Sequence, residues 1–461
     1  MALRAFLLSS LAAATLALPS YSSSYHSAVE HQNQYGRRDG PGGHGGDSMA
    51  GASHGAGEKK PGGMGDSISD KIMQSPYMQP MYNAMSGMFP TMGYVQRNLD
   101  QPSLFKQAGA KKATILFGPY DLVTAGERAQ KPNPSVMAMD PGATSFLNKV
   151  DFPKDITLLD AVVSLVYEDG SPANVSNGVY NHHIAFQDSA KKPTAMVACP
   201  GQAPKSSIPL SVFVGVGEDG NSFNYAPNLP DFDGGYYIGP DHSISTVSEL
   251  INSTNEKKRV FAKVEFNYVQ GKRKYDVSSV ITSVTQCDGA SSAIRPPPGV
   301  KVFSVKSKDL TIASDGVIFA VRGHLHDGGD YVGLSINGQE LCQSKGIYKG
   351  GKPDAFNQTS RPTLSDMSTC QDQIPVKKGD IMTIIAKYDL ENHPVREQTG
   401  GGEAEEMGLA MFSFAALTPT EPEPQGGGKW SSLYGMLQGG VKALAPAPAK
   451  TPATAPVTPS A

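Results

Sequence analysis

The sequence predicts an all-β protein made of two tandem antiparallel β-sandwich (jelly-roll-like) domains with disordered N- and C-terminal arms. From about position 112 onward, short runs rich in β-branched and aromatic residues alternate with turn residues, which is the spacing typical of sandwiches. Almost no segment shows a helical hydrophobic period over ten residues. The run Pro296-Pro297-Pro298-Gly299 interrupts this pattern and indicates a linker between the two domains.

The first 20 residues are typical of a secretory signal peptide. Arg4 gives the charged start, and residues 5–18 form an apolar run that is too short to span a bilayer. Residues 21–104 are rich in Gly, Ser, His and Met without a sustained core pattern, so we predict a disordered arm. Its methionines suit either Cu(I), which prefers soft sulfur ligands, or ordinary packing. They are Met73, Met78, Met81, Met85, Met88 and Met92.

The first sandwich is expected over residues 105–294 and the second over residues 300–418. Strand candidates in the first domain are residues 156–167, 210–216, 260–269 and 277–284. Strand candidates in the second domain are residues 300–305, 316–325, 331–336, 381–388 and 408–416. Residues 419–461 end in a stretch rich in Pro, Ala and Thr, which predicts a disordered tail.

The charge balance excludes one broad class of function. The 461 residues include 40 Lys and Arg against 43 Asp and Glu, which gives a net charge of −3. Proteins that grip the nucleic-acid backbone normally carry a basic excess, so we expect no nucleic-acid partner. Beyond the leader, no segment has the ~20 apolar residues that a membrane helix needs, so we expect no membrane span.

Cysteines and glycosylation triplets agree with export to an oxidising compartment. Four cysteines allow two disulfides in three connectivities. We favour Cys199–Cys287 and Cys342–Cys370, because each pair stays inside one predicted domain. Three Asn-x-Ser/Thr triplets offer glycan acceptors, namely Asn174, Asn252 and Asn357. We therefore expect a secreted, extracellular protein, and this is compatible with association to a cell wall or cell surface.

Four of the ten histidines form two close pairs, one in each predicted domain. His324 and His326 stand at the end of a predicted strand, where residues i and i+2 project on one face and can reach one metal ion. Arg322 lies on the same face. His182 and His183 are adjacent, so both can ligate one ion only at a bulge or a strand end. Each pair is also compatible with structural or surface histidines.

Several segments of the second half resemble the stress-up-regulated nodulin family. They are Arg322-Gly323-His324-Leu325-His326-Asp327-Gly328-Gly329, residues 338–348 with Cys342, Met367-Ser368-Thr369-Cys370 and Glu406-Met407-Gly408-Leu409. That family is in turn similar to the catalytic core of copper type II, ascorbate-dependent monooxygenases, such as peptidylglycine alpha-hydroxylating monooxygenase and dopamine beta-monooxygenase. The shared order is an H-H pair, an R-x-H-x-H strand and a later E-M strand, over residues 150–415.

This resemblance implies up to two copper ions as cofactors. His324, His326 and Met407 would hold the copper that activates oxygen, and the adjacent pair in the first domain would hold a second, electron-supplying copper. The family's third histidine at that second site corresponds to His242, the one histidine between the adjacent pair and the linker. Neutral imidazole and thioether ligands both stabilise Cu(I).

The resemblance also implies a reaction and bounds its substrate. Arg322 matches the arginine that anchors a peptide carboxylate, whereas Leu409 and Met411 stand where the peptide-hydroxylating enzyme carries an Asn and a Tyr. The implied pocket is apolar with one cation at its edge, which makes glycine-extended peptides a poor fit. The implied reaction is hydroxylation of a C–H bond of a small molecule, with oxygen and an external reductant such as ascorbate.

Two non-enzymatic interpretations stay open on the same residues. In one, the protein is a secreted copper-binding or stress-associated cell-surface protein that keeps the ligands without turnover and has no substrate. In the other, the histidines are structural and the sandwiches form an adhesion module. Likeness of fold and ligands does not by itself establish a reaction.

Overall fold

A computed structural model describes residues 87–130, 143–208, 211–218, 220, 222–288, 293–294, 296–350, 362–395 and 406–417. The expected signal peptide, the tail at 419–461, the methionines from Met73 to Met85 and the triplet at Asn357 lie outside the described residues. Within these residues the regular elements are strands, apart from one short helix, α1 (Ala125–Gln130), and one 3₁₀ turn (Val175–Asn177). The all-β prediction is confirmed.

The strands follow the chain in this order. The first thirteen are β1 (Thr91–Met92), β2 (Tyr94–Pro102), β3 (Lys111–Leu122), β4 (Thr144–Val150), β5 (Ile156–Val166), β6 (Val179–Asp188), β7 (Val197–Ala198), β8 (Val212–Val216), β9 (Ser222–Asn224), β10 (Gly234–Ile238), β11 (Ile244–Asn252), β12 (Lys258–Gln270) and β13 (Tyr275–Asp276). The others are β14 (Ser278–Ser283), β15 (Ala293–Ile294), β16 (Val302–Lys306), β17 (Leu310–Ile312), β18 (Gly316–His324), β19 (Gly329–Ile336), β20 (Gln339–Gly350), β21 (Pro362–Met367), β22 (Thr369–Cys370), β23 (Ile374–Val376), β24 (Ile381–Asp389), β25 (Glu406–Met407) and β26 (Leu409–Ala416).

Two sheets form the first sandwich. One has the strand order β1-β4-β11-β6-β8, and the other has the order β13-β10-β5-β12-β3-β2 with β9 paired to β5. Along β12 the inward residues Val264 and Phe266 are buried while Lys263 and Glu265 are partly exposed, which is the period-two pattern of a strand with one face on a core. At the centre, the Phe152 ring contacts those of Phe117, Phe186, Phe213 and Phe266.

The second sandwich recruits strands from the segment that the sequence assigned to the first domain. Its sheets have the orders β14-β26-β18-β22 and β21-β20-β19-β24-β17-β7, with β23 paired to β18 and β16 paired to β24. β7 and β14 therefore pair with β17 and β26, and β15 pairs with β25 in a separate two-stranded sheet. The run at Pro296–Gly299 follows the first strands of the second sandwich instead of preceding them. Local sequence indicates where a strand lies but not which distant strand it pairs with.

Ordered structure also begins earlier than predicted. β1 and β2 lie inside the segment 21–104 that we expected to be a disordered arm, and β2 pairs with β3 at a sheet edge. The residues of β2 are exposed or half-buried throughout, so its apolar signal is weak. Met92 is 7% exposed and belongs to the first core, which makes this member of the methionine series a packing residue.

Two disulfides join Cys199 to Cys287 and Cys342 to Cys370, the pairing favoured from the sequence. Because the strands next to Cys199 and Cys287 belong to the second sandwich, all four sulfurs lie in or beside the second core. Disulfides are typical of secreted and extracellular proteins. In the part of the chain that the structure describes, no helix is long and apolar enough to cross a membrane.

The two described glycosylation triplets differ in access. Asn174 is exposed at the start of the 3₁₀ turn, where its side-chain oxygen accepts a hydrogen bond from Ser176 N at 3.1 Å. Asn252 is 6% exposed, and its Nδ2 donates to the carbonyl oxygens of Val123 at 3.1 Å and Glu256 at 2.7 Å. The nitrogen that would carry a glycan is therefore hydrogen-bonded and much less accessible at Asn252 than at Asn174.

Alternate residues of β18 form a seam between the sandwiches. Val317 and Phe319 pack into the first core, whereas Ile318 packs into the second. A bulge interrupts the pairing of β18 with β26 between Phe319 and Arg322, and Ala320 within it has a left-handed φ of 53°. One extra residue in a strand moves every later residue to the opposite face. Arg322 and His324 therefore lie on the same face as Phe319, which is the face at the seam.

Candidate metal centre

A bulge in β6 brings two imidazoles together. β11 pairs with β6 so that Glu249 faces His183 while Leu250 faces Asn181, which leaves His182 as the extra residue. This is the local irregularity that adjacent ligands require. The ring centroids of His182 and His183 lie 4.2 Å apart.

The second pair stands where β18 ends. β18 ends at His324, and His326 follows in the turn that leads to β19. Gly329 N donates a hydrogen bond to the carbonyl oxygen of His326 at 3.0 Å, which closes this turn. The two ring centroids are 5.4 Å apart, and His324 is 7% exposed.

The two pairs meet at the seam. The ring centroid of His183 lies 5.7 Å from that of His324 and 6.3 Å from that of His326, and the His182 and His326 centroids are 6.1 Å apart. One ring nitrogen each from His182, His183 and His326 lies within 4.8 Å of the others. We name His182, His183, His324 and His326 the four-histidine cluster. The sequence predicted two separate sites, one per domain, whereas the structure forms one cluster.

A buried carboxylate orients this cluster, and the sequence analysis missed it. Glu249 is 4% exposed, and its Oε2 lies 3.1 Å from Nδ1 of His182. A carboxylate that accepts a hydrogen bond from one ring nitrogen directs the other nitrogen toward a metal and raises its basicity. Glu249 reaches the cluster only because β11 pairs with β6. No local sequence motif around Glu249 indicates this contact.

The electrostatic environment favours a neutral ring at His183. Burial of this imidazole lowers its pKa well below the ordinary value, and the neighbouring imidazoles of His182, His324 and His326 act in the same direction. A neutral imidazole has the lone pair that a metal ion needs. Imidazole-rich sites suit copper, zinc, iron and nickel, so the residues present fit a copper ion.

Met407 lies in β25 and is 5% exposed. After Gly408, β26 begins with Leu409, which is paired with His324. β18 and β26 are antiparallel. Met407 precedes Leu409 by two residues, and His326 follows His324 by two, so both stand beyond the same end of this strand pair. The backbone of Met407 is held by the Tyr388 hydroxyl, which accepts from Met407 N at 3.2 Å and donates to the Met407 carbonyl. Burial raises the pKa of Tyr388 well above its ordinary value, and the nearby Glu406 carboxylate adds to this.

His242 lies away from the four-histidine cluster. Its Nδ1 is 2.6 Å from Oδ2 of Asp188, and Asp188 ends β6, six residues beyond His182. At ~3.3 Å per residue that distance is about 20 Å along the strand. His242 therefore does not complete a copper site with His182 and His183, contrary to the expectation from the resemblance.

Leu409 and Met411, expected to line a substrate pocket, lie beside the cluster. Leu409 pairs with His324 across the sheet, and Met411 pairs with Arg322. Both side chains are half-buried. The next residue on the same face, Ser413, donates a hydrogen bond to the Asn224 carbonyl of the first sandwich, so this face of β26 is directed toward the seam.

Arg322 holds the two sandwiches together. The residue is 5% exposed, its Nη2 donates to Oδ1 of Asp366 at 2.8 Å, and its Nη1 donates to Oγ of Ser222 at 3.3 Å. The guanidinium also packs against Gly220, where an added Cβ would collide with it. Arg322 is therefore a buried, ion-paired side chain, whereas the sequence led us to expect an open cation at the edge of a pocket.

Comparisons with known proteins find distant relatives of one class. No family model matches the chain. A protein named "Probable copper-dependent oxygenase clz3" from Cochliobolus lunatus is 23% identical over 270 residues, which are 57% of this chain and 81% of that protein. A protein named "Probable copper-dependent oxygenase M1" from Phoma sp. is 23% identical over 278 residues, which are 59% of this chain and 66% of that protein. The chain is thus similar to copper-dependent oxygenases, and the finer resemblance stays a prediction.

Solved structures are similar only at a low level. A peptide-N(4)-(N-acetyl-beta-D-glucosaminyl) asparagine amidase has a TM-score of 0.33 and 10% identity, covering 68% of this chain and 98% of that chain. The major capsid protein P2 of bacteriophage PM2 has a TM-score of 0.24 and 10% identity, covering 66% of this chain and 100% of that chain. Scores this low carry no argument about function.

Proposed function

We propose that this protein is a secreted copper-dependent oxygenase that hydroxylates a C–H bond with oxygen and an external reductant such as ascorbate. The observation that supports this most is the convergence of two imidazoles from each sandwich on one position at the seam. Two sequence relatives are named copper-dependent oxygenases. Histidine and methionine side chains together suit copper in its reduced state.

The residues of the cluster and its surroundings would have different roles in binding copper. His182, His183 and His326 would hold it through one ring nitrogen each, with His324 and the Met407 thioether as further ligands. Copper held in this way supplies the activation of dioxygen. Glu249 would accept a hydrogen bond from Nδ1–H of His182 and so keep its Nε2 lone pair free for the ion. The lowered pKa of His183 keeps its ring unprotonated, so protons do not compete for its lone pair.

The surroundings favour a neutral or apolar small-molecule substrate. Leu409 and Met411 place half-buried apolar side chains along β26 next to His324 and Arg322. The charge of Arg322 is balanced by Asp366, so this side of the cluster offers little attraction to a carboxylate. An apolar wall would also exclude water from this side of the cluster.

Copper content and oxygen consumption of the secreted full-length protein test this function. We expect copper to be bound and oxygen to be consumed with ascorbate once a substrate is supplied from a panel of small apolar compounds. His326→Ala should remove both properties. His242→Asn should keep both, because it retains a nitrogen for Asp188 and lies outside the cluster.

The outcomes separate the alternatives. Bound copper with no oxygen consumption for any compound would favour a secreted copper-binding protein without turnover. A folded protein that binds no copper would refute the proposal.

We also propose Asn174 as a glycan acceptor, since it is exposed. Asn174→Gln should then lower the mass of the secreted protein by one glycan.

A further inference from the structure

A pocket lies on the seam, and its lining residues do not include the four-histidine cluster. It has a volume of about 250 Å³, and both sandwiches contribute to it. The side chains that matter are Phe105, Asn224 and Asn228 from the first sandwich and Phe319, Gln371 and Gln373 from the second. Ala320 also lines it and precedes His324 by four residues on β18. Because one of these is the extra residue of the bulge, the distance along the strand is about 10 Å at ~3.3 Å per residue.

The chemistry of its walls is neutral. The described residues that line it include carboxamides and phenyl rings but no charged side chain. A carboxamide both donates and accepts hydrogen bonds, as a sugar hydroxyl does. Among the described residues, Oε1 of Gln373 is buried without a hydrogen-bond partner, and a buried acceptor of this kind costs stability unless a partner satisfies it.

The backbone around the pocket is fixed by several independent contacts. Gln371 follows Cys370, which is bonded to Cys342. Gln373 precedes β23, which pairs with β18. The Phe319 ring packs edge-on against Phe232, with centroids 6.1 Å apart. Ala320 holds a left-handed φ of 53°, and such strained residues concentrate at binding sites. A preformed pocket lowers the entropic cost of binding.

We propose that this pocket binds a neutral sugar unit. The half-buried phenyl ring of Phe105 suits the C–H face of a pyranose. The carboxamides of Asn224, Gln371 and Gln373 suit its hydroxyl groups. The uncharged lining disfavours phosphates and uronic acids, and a purely apolar ligand would leave the carboxamides unpaired. The volume is below the ~300–1,000 Å³ of drug-sized ligand sites, which matches a single ring. The inference does not depend on the copper chemistry.

Binding of simple glycosides to the full-length secreted protein tests this proposal. Ligand-observed NMR would follow the methyl glycosides of glucose, galactose, mannose and N-acetylglucosamine, with glucuronic acid and cyclohexanol as charged and apolar comparisons. We expect at least one neutral glycoside to bind with a millimolar Kd, equally with and without copper. Both comparison compounds should bind about tenfold more weakly or not at all, because they lack matching hydrogen bonds or add a charge.

Variants locate the site. Gln373→Leu keeps the approximate size and removes both hydrogen-bonding groups, so binding should weaken by about tenfold. Asn224→Ala should act in the same direction and serves if the first variant fails to fold. The control is Gln343→Leu, which changes an exposed carboxamide of β20 that bonds Glu340.

Three results would overturn the proposal. The first is a folded protein that binds none of the neutral glycosides. The second is binding that both pocket variants leave unchanged. The third is binding that disappears when copper is removed, because the glycoside would then occupy the metal centre.

Discussion

β6 and β18 each bring a histidine pair to the same seam, and both contain a bulge, but the bulge acts differently in the two strands. In β6 the extra residue is His182 itself, so the bulge turns two neighbouring rings toward one position. In β18 the bulge lies at Ala320, ahead of His324, and decides which face of the strand His324 occupies before the turn that carries His326. The register of strand pairing therefore brings together two histidine pairs that have no unusual signal in the sequence.

The two pairs are also supported differently. The β6 pair is held by a charged group, the Glu249 carboxylate at Nδ1 of His182. Beside the β18 pair, Arg322 ties β18 to Asp366 and Ser222, and the turn after His326 is closed by its own backbone. The Glu249 carboxylate acts directly on an imidazole ring, whereas Arg322 and the turn hold the backbone of β18 in place.

Loss of one ring from either strand should have the largest effect. His183→Ala and His326→Ala should each remove the stabilisation that copper gives, because the rings surround a single position. At a free copper concentration 1,000 times the Kd, that stabilisation is about 4 kcal/mol. Unfolding free energies with and without copper measure it. If either variant kept the full copper effect, the strands would hold separate sites and the single cluster would be wrong.

Glu249→Gln should have the next largest effect, since it tests the electrostatic support of the β6 pair. The amide keeps the shape but loses the negative charge that raises the basicity of His182. Loss of such a supporting group typically weakens metal binding by about 10–100-fold. Competition titration with a copper chelator measures the affinity. Glu265→Gln, on the first-sandwich strand β12 and paired with Lys112 and Lys263, is the control, and an equal effect there would contradict this role.

Met407→Ile tests whether the β18 side supplies a thioether. The exchange roughly conserves volume, so the free energy of unfolding should fall by less than ~1.5 kcal/mol. The sulfur contribution to the X-ray absorption spectrum of the Cu(I) protein should disappear, because isoleucine has no lone pair. Met382→Ile, at a fully buried position of the second core, should keep that contribution. Persistence of the sulfur signal without Met407 would exclude it as a ligand.

Ala320→Gly should have the smallest effect, and it should be stabilising. A left-handed backbone costs a non-glycine residue about 1–2 kcal/mol, while glycine loses roughly 0.5–1 kcal/mol more than alanine in chain entropy. The net gain should be about 0.5–1 kcal/mol in denaturant unfolding, with unchanged copper affinity. Ala161→Gly in β5 should lose stability instead. A loss of stability in Ala320→Gly would mean that the bulge is not strained.

Strand positions could be predicted because they are encoded locally. The candidate at 156–167 is Ile156–Val166 in the structure, and the candidate at 381–388 is Ile381–Asp389. Both are runs of β-branched and apolar residues bounded by turn signals.

Pairing between distant strands could not be predicted in the same way. The pairing of β14 with β26 is an example, because nothing within Ser278–Ser283 indicates this partner. The same limit explains the candidate site. The adjacent histidines were enough to predict a bulge. The register of the strands could not be predicted, and it decides that both pairs meet, that Glu249 contacts His182 and that His242 lies far away.

The Cys199–Cys287 bond ties together two parts of the chain separated by 88 residues. The loop it closes leaves the second sandwich after β7, supplies β8 to β13 to the first, and returns at β14. His182 and His183 precede this loop, and His324 and His326 follow it. A protease that cuts once inside the loop therefore leaves two polypeptides that remain covalently joined, each carrying two of the four cluster histidines. Such a nicked protein would migrate as one chain until the disulfide is reduced, and the two halves of the four-histidine cluster would stay tethered to each other.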